Sequence, residues 1–371
     1  MKRTLLSLLM AFVLLLAACG SRSPNTSSPE KEPSVPEKVS TQENEKQEAF
    51  SSEKGEVSSA SSQETQEPSE QEPAAGQLSI AAPKGPTSMG MAQLMNNYAE
   101  GGLYHFTLVG SPDELVSGIV QGEYDIAAVP VNLAANLYQK TEGNIQLAAV
   151  NTLGVLYIVE SGDTVHSVTD LKGRTIYATG KGSTPEYVLN YILRENGLTP
   201  GEDVTIEYKT EHAELSSLLA AGKADLALLP QPYVASAMTG NPDLRVALDM
   251  TEEWDKTEQG QLTMGCLVVQ KKLAEESPEL LDNFLREYRD SVNFIKDEEN
   301  LEISSQMIEH FHILKADIAK QALPQCSLTF VRGDKMKEMT EGFLQVLYEF
   351  DPKSIGGEMP DDHFYYGITQ P

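Results

Sequence analysis

Residues 115–130 read Leu115-Val116-Ser117-Gly118-Ile119-Val120-Gln121-Gly122-Glu123-Tyr124-Asp125-Ile126-Ala127-Ala128-Val129-Pro130, and residues 215–230 read Leu215-Ser216-Ser217-Leu218-Leu219-Ala220-Ala221-Gly222-Lys223-Ala224-Asp225-Leu226-Ala227-Leu228-Leu229-Pro230. Leu115/Leu215, Ser117/Ser217, Gly122/Gly222, Asp125/Asp225, Ala127/Ala227 and Pro130/Pro230 coincide without a gap. Upstream, Ile80-Ala81-Ala82-Pro83-Lys84-Gly85-Pro86-Thr87 is echoed by Tyr177-Ala178-Thr179-Gly180-Lys181-Gly182-Ser183-Thr184. In each unit an apolar run (Leu78–Ala82; Thr175–Ala178) predicts a buried strand. A Gly/Pro/Thr/Ser loop and a helical pattern follow, then a second strand (Phe106–Val109; Val204–Glu207). A short helix ends at Gly122 or Gly222, where glycine tolerates a left-handed cap. The third run, Tyr124–Val129 or Ala224–Leu229, is apolar on both faces, as in a parallel sheet covered by helices. A proline, with no N–H to donate, ends it. A βαβαβ unit stated twice predicts two similar lobes, and a cleft between lobes is where small solutes bind.

Outside these units the composition changes. Lys2, Arg3 and the apolar Leu5–Leu16 predict a secretory signal over 1–19, and Leu16-Ala17-Ala18-Cys19-Gly20 resembles a bacterial lipobox with Cys19 as the lipidated residue. Lipid chains there would hold the protein at the outer face of the cytoplasmic membrane. Residues 20–77 are Ser, Glu, Pro, Gln and Lys with little that is apolar, which predicts a disordered tether. The whole chain has a formal charge of −27, and residues 78–371 carry 21 basic and 43 acidic residues, a charge of −22. That argues against nucleic acid and against an anionic membrane face as partners. The expected organisation is 1–19 signal, 20–77 tether, 78–152 first part of lobe 1, 153–258 lobe 2, and 259–371 the return to lobe 1 with C-terminal helices. Leu147–Glu160, broken at Asn151-Thr152-Leu153-Gly154, is the expected first crossing between lobes, and Trp254–Leu267 the expected return. Cys266 and Cys326 form an even pair in an exported protein and are therefore a disulfide candidate.

Solutes bind at the carboxyl ends of parallel strands, where helix N-termini present free N–H groups. Both repeated loops fall there. In the first, Thr87 or Ser88 is the expected N-cap. In the second, Ser183 and Glu186 have capping-box spacing and Pro185 suits a helix start. Thr184 shares that turn. Asn132 and Gln231 follow the third strands and offer both donors and acceptors. Tyr233 adds a ring face and a hydroxyl. Asn151 and Thr152 are expected to face the cleft. Lys84 and Lys181 suit an anion, whereas Tyr233, Tyr187 and the amides suit a flat heterocycle. The six histidines show no zinc spacing, no Gly-x-Ser-x-Gly elbow occurs, and Glu211-His212 reads as a capping turn. No cofactor, metal or catalytic group is expected.

Ala82-Pro83-Lys84-Gly85-Pro86-Thr87, Asp125-Ile126-Ala127-Ala128-Val129-Pro130, Asp170-Leu171-Lys172-Gly173-Arg174-Thr175-Ile176 and Ala221-Gly222-Lys223-Ala224-Asp225 together resemble the substrate-binding proteins of the nitrate/sulfonate/taurine type, a group that includes binding proteins for thiamine pyrimidine precursors. The resemblance implies a type II periplasmic-binding-protein fold, α/β in class, that closes on a solute and delivers it to ABC permease subunits as a monomer. It places ligand contacts at Thr87, Ser88, Asn132, Asn151, Thr152, Ser183, Thr184 and Gln231. Pro360-Asp361-Asp362-His363-Phe364-Tyr365-Tyr366 looks like a subgroup trait. The implied solute is an organic anion such as a sulfonate or carboxylate, or a pyrimidine-like vitamin precursor. Two other functions use the same fold. One is an enzyme similar to the thiamine-pyrimidine synthases, whose cysteine-rich motif is absent from this sequence. The other is an extracellular sensor with no transporter, which neighbouring permease and ATPase genes would distinguish.

Overall fold

A computed structural model describes residues 76–98, 101–257 and 260–369. The chain separates into two units, Met1–Pro68 and Ser69–Pro371, and every described residue lies in the second. The expected signal, the lipobox Cys19 and nearly all of the 20–77 tether therefore fall outside the described residues.

Eleven strands are described: β1 Leu78–Pro83, β2 Tyr104–Val109, β3 Ile126–Pro130, β4 Ile145–Leu153, β5 Leu156–Ser161, β6 Thr175–Ala178, β7 Thr205–Tyr208, β8 Leu226–Pro230, β9 Leu244–Asp249, β10 Thr263–Gln270 and β11 Leu328–Val331. They form a six-stranded sheet in the order β11-β4-β10-β3-β1-β2 and a five-stranded sheet in the order β7-β6-β8-β5-β9. In the first sheet β1 is parallel to β2 and β3, and in the second β6 is parallel to β7 and β8. The repeated sequence therefore builds the same parallel core twice. An antiparallel strand then joins each: β10 beside β3, and β5 beside β8.

The chain passes between the sheets at Leu153–Leu156 and again at Asp249–Thr263. Gly154 sits where these passages touch. A Cβ there would collide with Thr251 Oγ1 and lie 3.0 Å from Leu262 Cδ2, so the close approach requires glycine. Alternation along the strands divides the six-stranded sheet between two cores. Ala81, Val129, Val150 and Cys266 face a core that continues through Trp254 to Ile158 and Leu228 of the second sheet. Ile80, Ala128 and Leu267 face the other, against Phe284 and Tyr288 of the helix Pro278–Lys296. A third core lies under Val159, Ala227 and Leu229, against Leu215 and Leu219.

Three local expectations are corrected. The first helix, Pro86–Met89, is capped by Gly85 and not by Thr87 or Ser88, because Pro86 fits the first helical position and moves the start forward. Ser183 does precede the helix Thr184–Glu195, but its hydroxyl donates back to Gly180 O at 2.7 Å. The Glu186 carboxylate accepts from Gly182 N, so no capping box forms. Finally, Cys266 and Cys326 are free, fully buried thiols and not a disulfide. Cys266 belongs to one core of the six-stranded sheet and Cys326 to the core on its other face, so the sheet itself separates them. Burial pushes the Cys326 thiol up to about 12 and the Cys266 thiol higher still. Iodoacetamide should therefore label neither residue in the folded protein. After unfolding without reductant, mass spectrometry should find both alkylated; two unlabelled residues there would restore the bridge.

The Pro360–Tyr366 segment acquires a physical role. β11 pairs with β4 only at Val150 and Thr152, leaving the Ile145–Ala148 stretch of that strand's outer edge open. Tyr366 N donates to Leu147 O at 2.9 Å, and Tyr365 bridges Leu147. Tyr138 Oη anchors Asp361 at 2.6 Å, and Phe364 and Tyr365 are buried. The segment covers an edge that could otherwise pair with another chain.

Candidate solute cavity

A cavity of about 200 Å3 opens between the two sheets. From the six-stranded side it is lined by the loop after β1 (Lys84, Gly85, Thr87), by Gly110 and Pro112 after β2, by Pro130 and Thr152, and by Met264 and Gly265 of β10. From the five-stranded side come Val155, His212 and Pro230-Gln231-Pro232-Tyr233. These are the carboxyl ends of β1, β2, β3 and β8, the position that parallel strands leave open for a ligand.

Gly265 forms part of the floor. A Cβ on it would fall 2.7 Å from Asn151 Oδ1 and 2.8 Å from Thr87 Cγ2, so any larger residue would push both aside. Thr152 Oγ1 donates to Asn151 Oδ1 at 3.2 Å. His212 begins the helix His212–Ala220, and its Nδ1 lies 2.5 Å from Thr179 Oγ1. Its ring packs against Tyr233, centroid to centroid 5.1 Å, tilted by 36°. Burial lowers the His212 pKa and so favours the neutral imidazole. Burial, with the Glu211 carboxylate nearby, raises the Tyr233 phenol, which stays protonated. Gln231 is 2% exposed, and its amide is fixed at both ends: Oε1 accepts from Ala235 N at 3.2 Å, and Nε2 donates to Gln325 Oε1 at 2.5 Å.

Of the residues named from sequence, Thr87, Thr152, Gln231 and Tyr233 meet in this cavity. Asn151 lies directly behind the floor and is 1% exposed. Ser88 is buried in its own turn, bonded to Gly85 N and O at 3.1 Å each. Asn132, Ser183 and Thr184 lie elsewhere. Thr184 Oγ1 donates to Asn132 Oδ1 at 3.0 Å, across a seam where Tyr187 packs on Phe350 at 5.6 Å. Lys181 leaves the cavity too, and sits 5.7 Å over the Tyr208 ring. Of the two lysines read as anion partners, only Lys84 remains, exposed at the rim.

Sequence reasoning read His212 only as part of a capping turn and did not single out Gly265 or Gln325. A signal for His212 was present. The ungapped offset that aligns Leu115 with Leu215 also aligns Pro112 with His212, and both line the cavity.

Two α/β sheets, two chain passages and a cavity walled from both sides make up a two-lobed α/β fold with room for a small solute between the sheets. The chain belongs to the family described as "ABC transporter, phosphonate, periplasmic substrate-binding protein", whose family model matches residues 95–315, more than half of its length. Members of this family are the periplasmic substrate-binding components of ABC importers. Solved structures share the fold. An ABC transporter protein from Parabacteroides distasonis is 23% identical with a TM-score of 0.67, over 78% of this chain and 98% of that one. The periplasmic aliphatic sulphonate binding protein SsuA from Escherichia coli is 19% identical with a TM-score of 0.63, over 80% and 94%. The periplasmic nitrate-binding protein NrtA from Synechocystis PCC 6803 is 14% identical with a TM-score of 0.52, over 74% and 82%. No curated protein matches the chain.

Proposed function

We propose that this protein is the solute-capturing subunit of an ABC importer, a monomer anchored through Cys19, without cofactor or catalytic activity, and with the lobes divided as 78–152 plus 259–371 and 153–258. The supporting observation is a cavity walled by loops of both sheets. A solute there touches both lobes and favours the closed arrangement by its differential affinity for the two states.

The lining favours a compact, largely apolar solute with at most one negative charge, such as a small sulfonate or carboxylate. Six prolines, Val155 and Met264 make the walls mostly apolar, and the lining contains one lysine and no arginine. His212 is neutral, and carboxylates stand near the rim: a Cβ on Gly110 would lie 3.2 Å from Glu114 Oε1, and Glu211 acts on Tyr233. A desolvated dianion would lack compensation in such a site. The His212–Tyr233 ring pair favours a second reading, a pyrimidine-like heterocycle.

Thermal-shift and calorimetric titrations with ethanesulfonate, propionate, ethylphosphonate and 4-aminopyrimidine separate these readings, since a ligand of the native state raises apparent stability. Preference for ethylphosphonate above pH 8 would overturn the charge argument. For the solute that binds, Thr87→Ala should weaken affinity by about 1–3 kcal/mol if the hydroxyl bonds a buried solute group. Ser183→Ala, outside the cavity, should leave affinity as it is. The opposite pattern would move the site to the second repeated loop.

A further inference from the structure

We infer that Gln325, which is not part of the cavity lining, positions the cavity-wall amide of Gln231 and is a catch that helps to hold the two lobes together when closed. Gln231 stands at the end of β8, in the five-stranded lobe. Gln325 stands just before β11, in the six-stranded lobe. The two side chains meet 94 residues apart in sequence, with Gln231 Nε2 donating to Gln325 Oε1 at 2.5 Å. The backbone of Gln325 is held as well: Tyr157 Oη, on β5 of the five-stranded lobe, donates to Gln325 O at 3.0 Å. One residue of one lobe is thus gripped by two residues of the other, Tyr157 on β5 and Gln231 immediately after the neighbouring β8.

The character of these contacts suits a catch. Gln325 is exposed, so water can replace its bonds when the lobes part, and opening strands no buried group there. Behind the segment a second cavity of about 270 Å3, lined by Leu323, Pro324, Ser327 and Leu328 with Ile295 and Leu301, leaves it loosely backed. The seam at Trp254 is the reverse: apolar and fully buried. The same bond has a consequence inside the cavity. Ala235 N and Gln325 Oε1 together set the direction of the Gln231 amide, whose second Nε2 hydrogen remains to donate to a solute acceptor. Without Gln325 one of the two restraints is lost and the amide can rotate.

The catch stands without a ligand; its effect on affinity rests on the cavity being the solute site. The test uses the full chain with one spin label per lobe, read without ligand and checked by small-angle scattering. Gln325→Ala should shift the closed-to-open ratio toward open by about five- to tenfold, the worth of one hydrogen bond. Gln325→Glu keeps the acceptor and should match the parent. Adding Tyr157→Phe to Gln325→Ala should open the protein further. If both variants, folded by circular dichroism, keep the parent distances, or the parent is already as open as they are, the catch is refuted whatever the solute. In the second arm, ethanesulfonate or 4-aminopyrimidine, whichever binds the parent, should dissociate about five- to tenfold faster from Gln325→Ala and at the parent rate from Gln325→Glu. An unchanged rate in Gln325→Ala alongside altered distances would overturn the positioning role and leave the catch.

Discussion

Replacing Trp254 by alanine should lower unfolding stability by about 3–5 kcal/mol, the range for emptying a large aromatic site in a packed core. Trp254 is the chain's one tryptophan and has no exposed surface. It lies in the second passage between the sheets, on the short helix Met250–Asp255. Its ring packs on Tyr191 at 4.9 Å and on Phe343 at 5.7 Å, one from the helix Thr184–Glu195 of the second lobe and the other from the C-terminal helix Gly333–Phe350. The indole Nε1 donates to Gly260 O at 3.1 Å and fixes the ring's orientation. Alanine would leave a void bounded by elements of both lobes, which cannot collapse without moving one lobe on the other. Trp254→Phe should lose much less, since most ring contact survives. Denaturant midpoints followed by far-ultraviolet dichroism read both variants, and a loss below about 1 kcal/mol for alanine would show that the site is not a packed junction.

The parallel core of each sheet was legible because the repeat carries strong local signals. Glycines occupy the left-handed helix ends at Gly122 and Gly222, with φ of 73° and 64°, and the apolar runs before Pro130 and Pro230 are buried throughout up to the prolines. The cavity lining was legible where it follows the end of a parallel strand, as at Thr87, Gln231 and Tyr233, and at Thr152 beside the first crossing between the sheets. Ser183 and Thr184 fall outside this cavity, although the repeat pairs their loop with the first, because the two lobes do not have the same neighbours. The C-terminal helix Gly333–Phe350, which is not part of the repeat, packs against the second lobe beside that loop, through Phe350 and Tyr187. The thiols were misread because an even cysteine count says nothing about which side of a sheet each one faces. Gln325 was invisible for a related reason: its partners, Tyr157 and Gln231, are distant in sequence and come to it only through the packing of the lobes.

Arg245→Leu should cost about 3 kcal/mol at pH 7, and the cost should shrink in acid. Glu160 is the penultimate residue of β5, with its side chain 1% exposed. Arg245 Nη2 lies 2.7 Å from Glu160 Oε2 and also donates to Val165 O at 2.7 Å. The carboxylate further accepts from Thr164 N at 3.1 Å and from Val165 N at 3.2 Å. Burial alone would raise the Glu160 pKa, but these bonds and Arg245 outweigh it and the net shift is downward. A carboxyl whose folded pKa lies below its unfolded value adds stability above the unfolded pKa, about 4.3, and that stability is lost as pH falls through the folded value. Removing Arg245 takes away one of the groups that hold the Glu160 pKa down. The remaining backbone donors and the more distant Arg174, 3.7 Å away, soften the loss, which places it at the low end of the range for breaking a buried pair. Without Arg245 the Glu160 pKa is held down less than in the parent, so the variant takes up its proton at a higher pH than the parent does and recovers relative to it as pH falls. Arg245→Leu with Glu160→Gln should be closer to the parent than Arg245→Leu alone, since no buried charge is left uncompensated. Urea midpoints from pH 3 to 7.5 decide it: a stability gap that does not narrow below about pH 4.3 would mean that Arg245 acts through packing and not through the charge it neutralises.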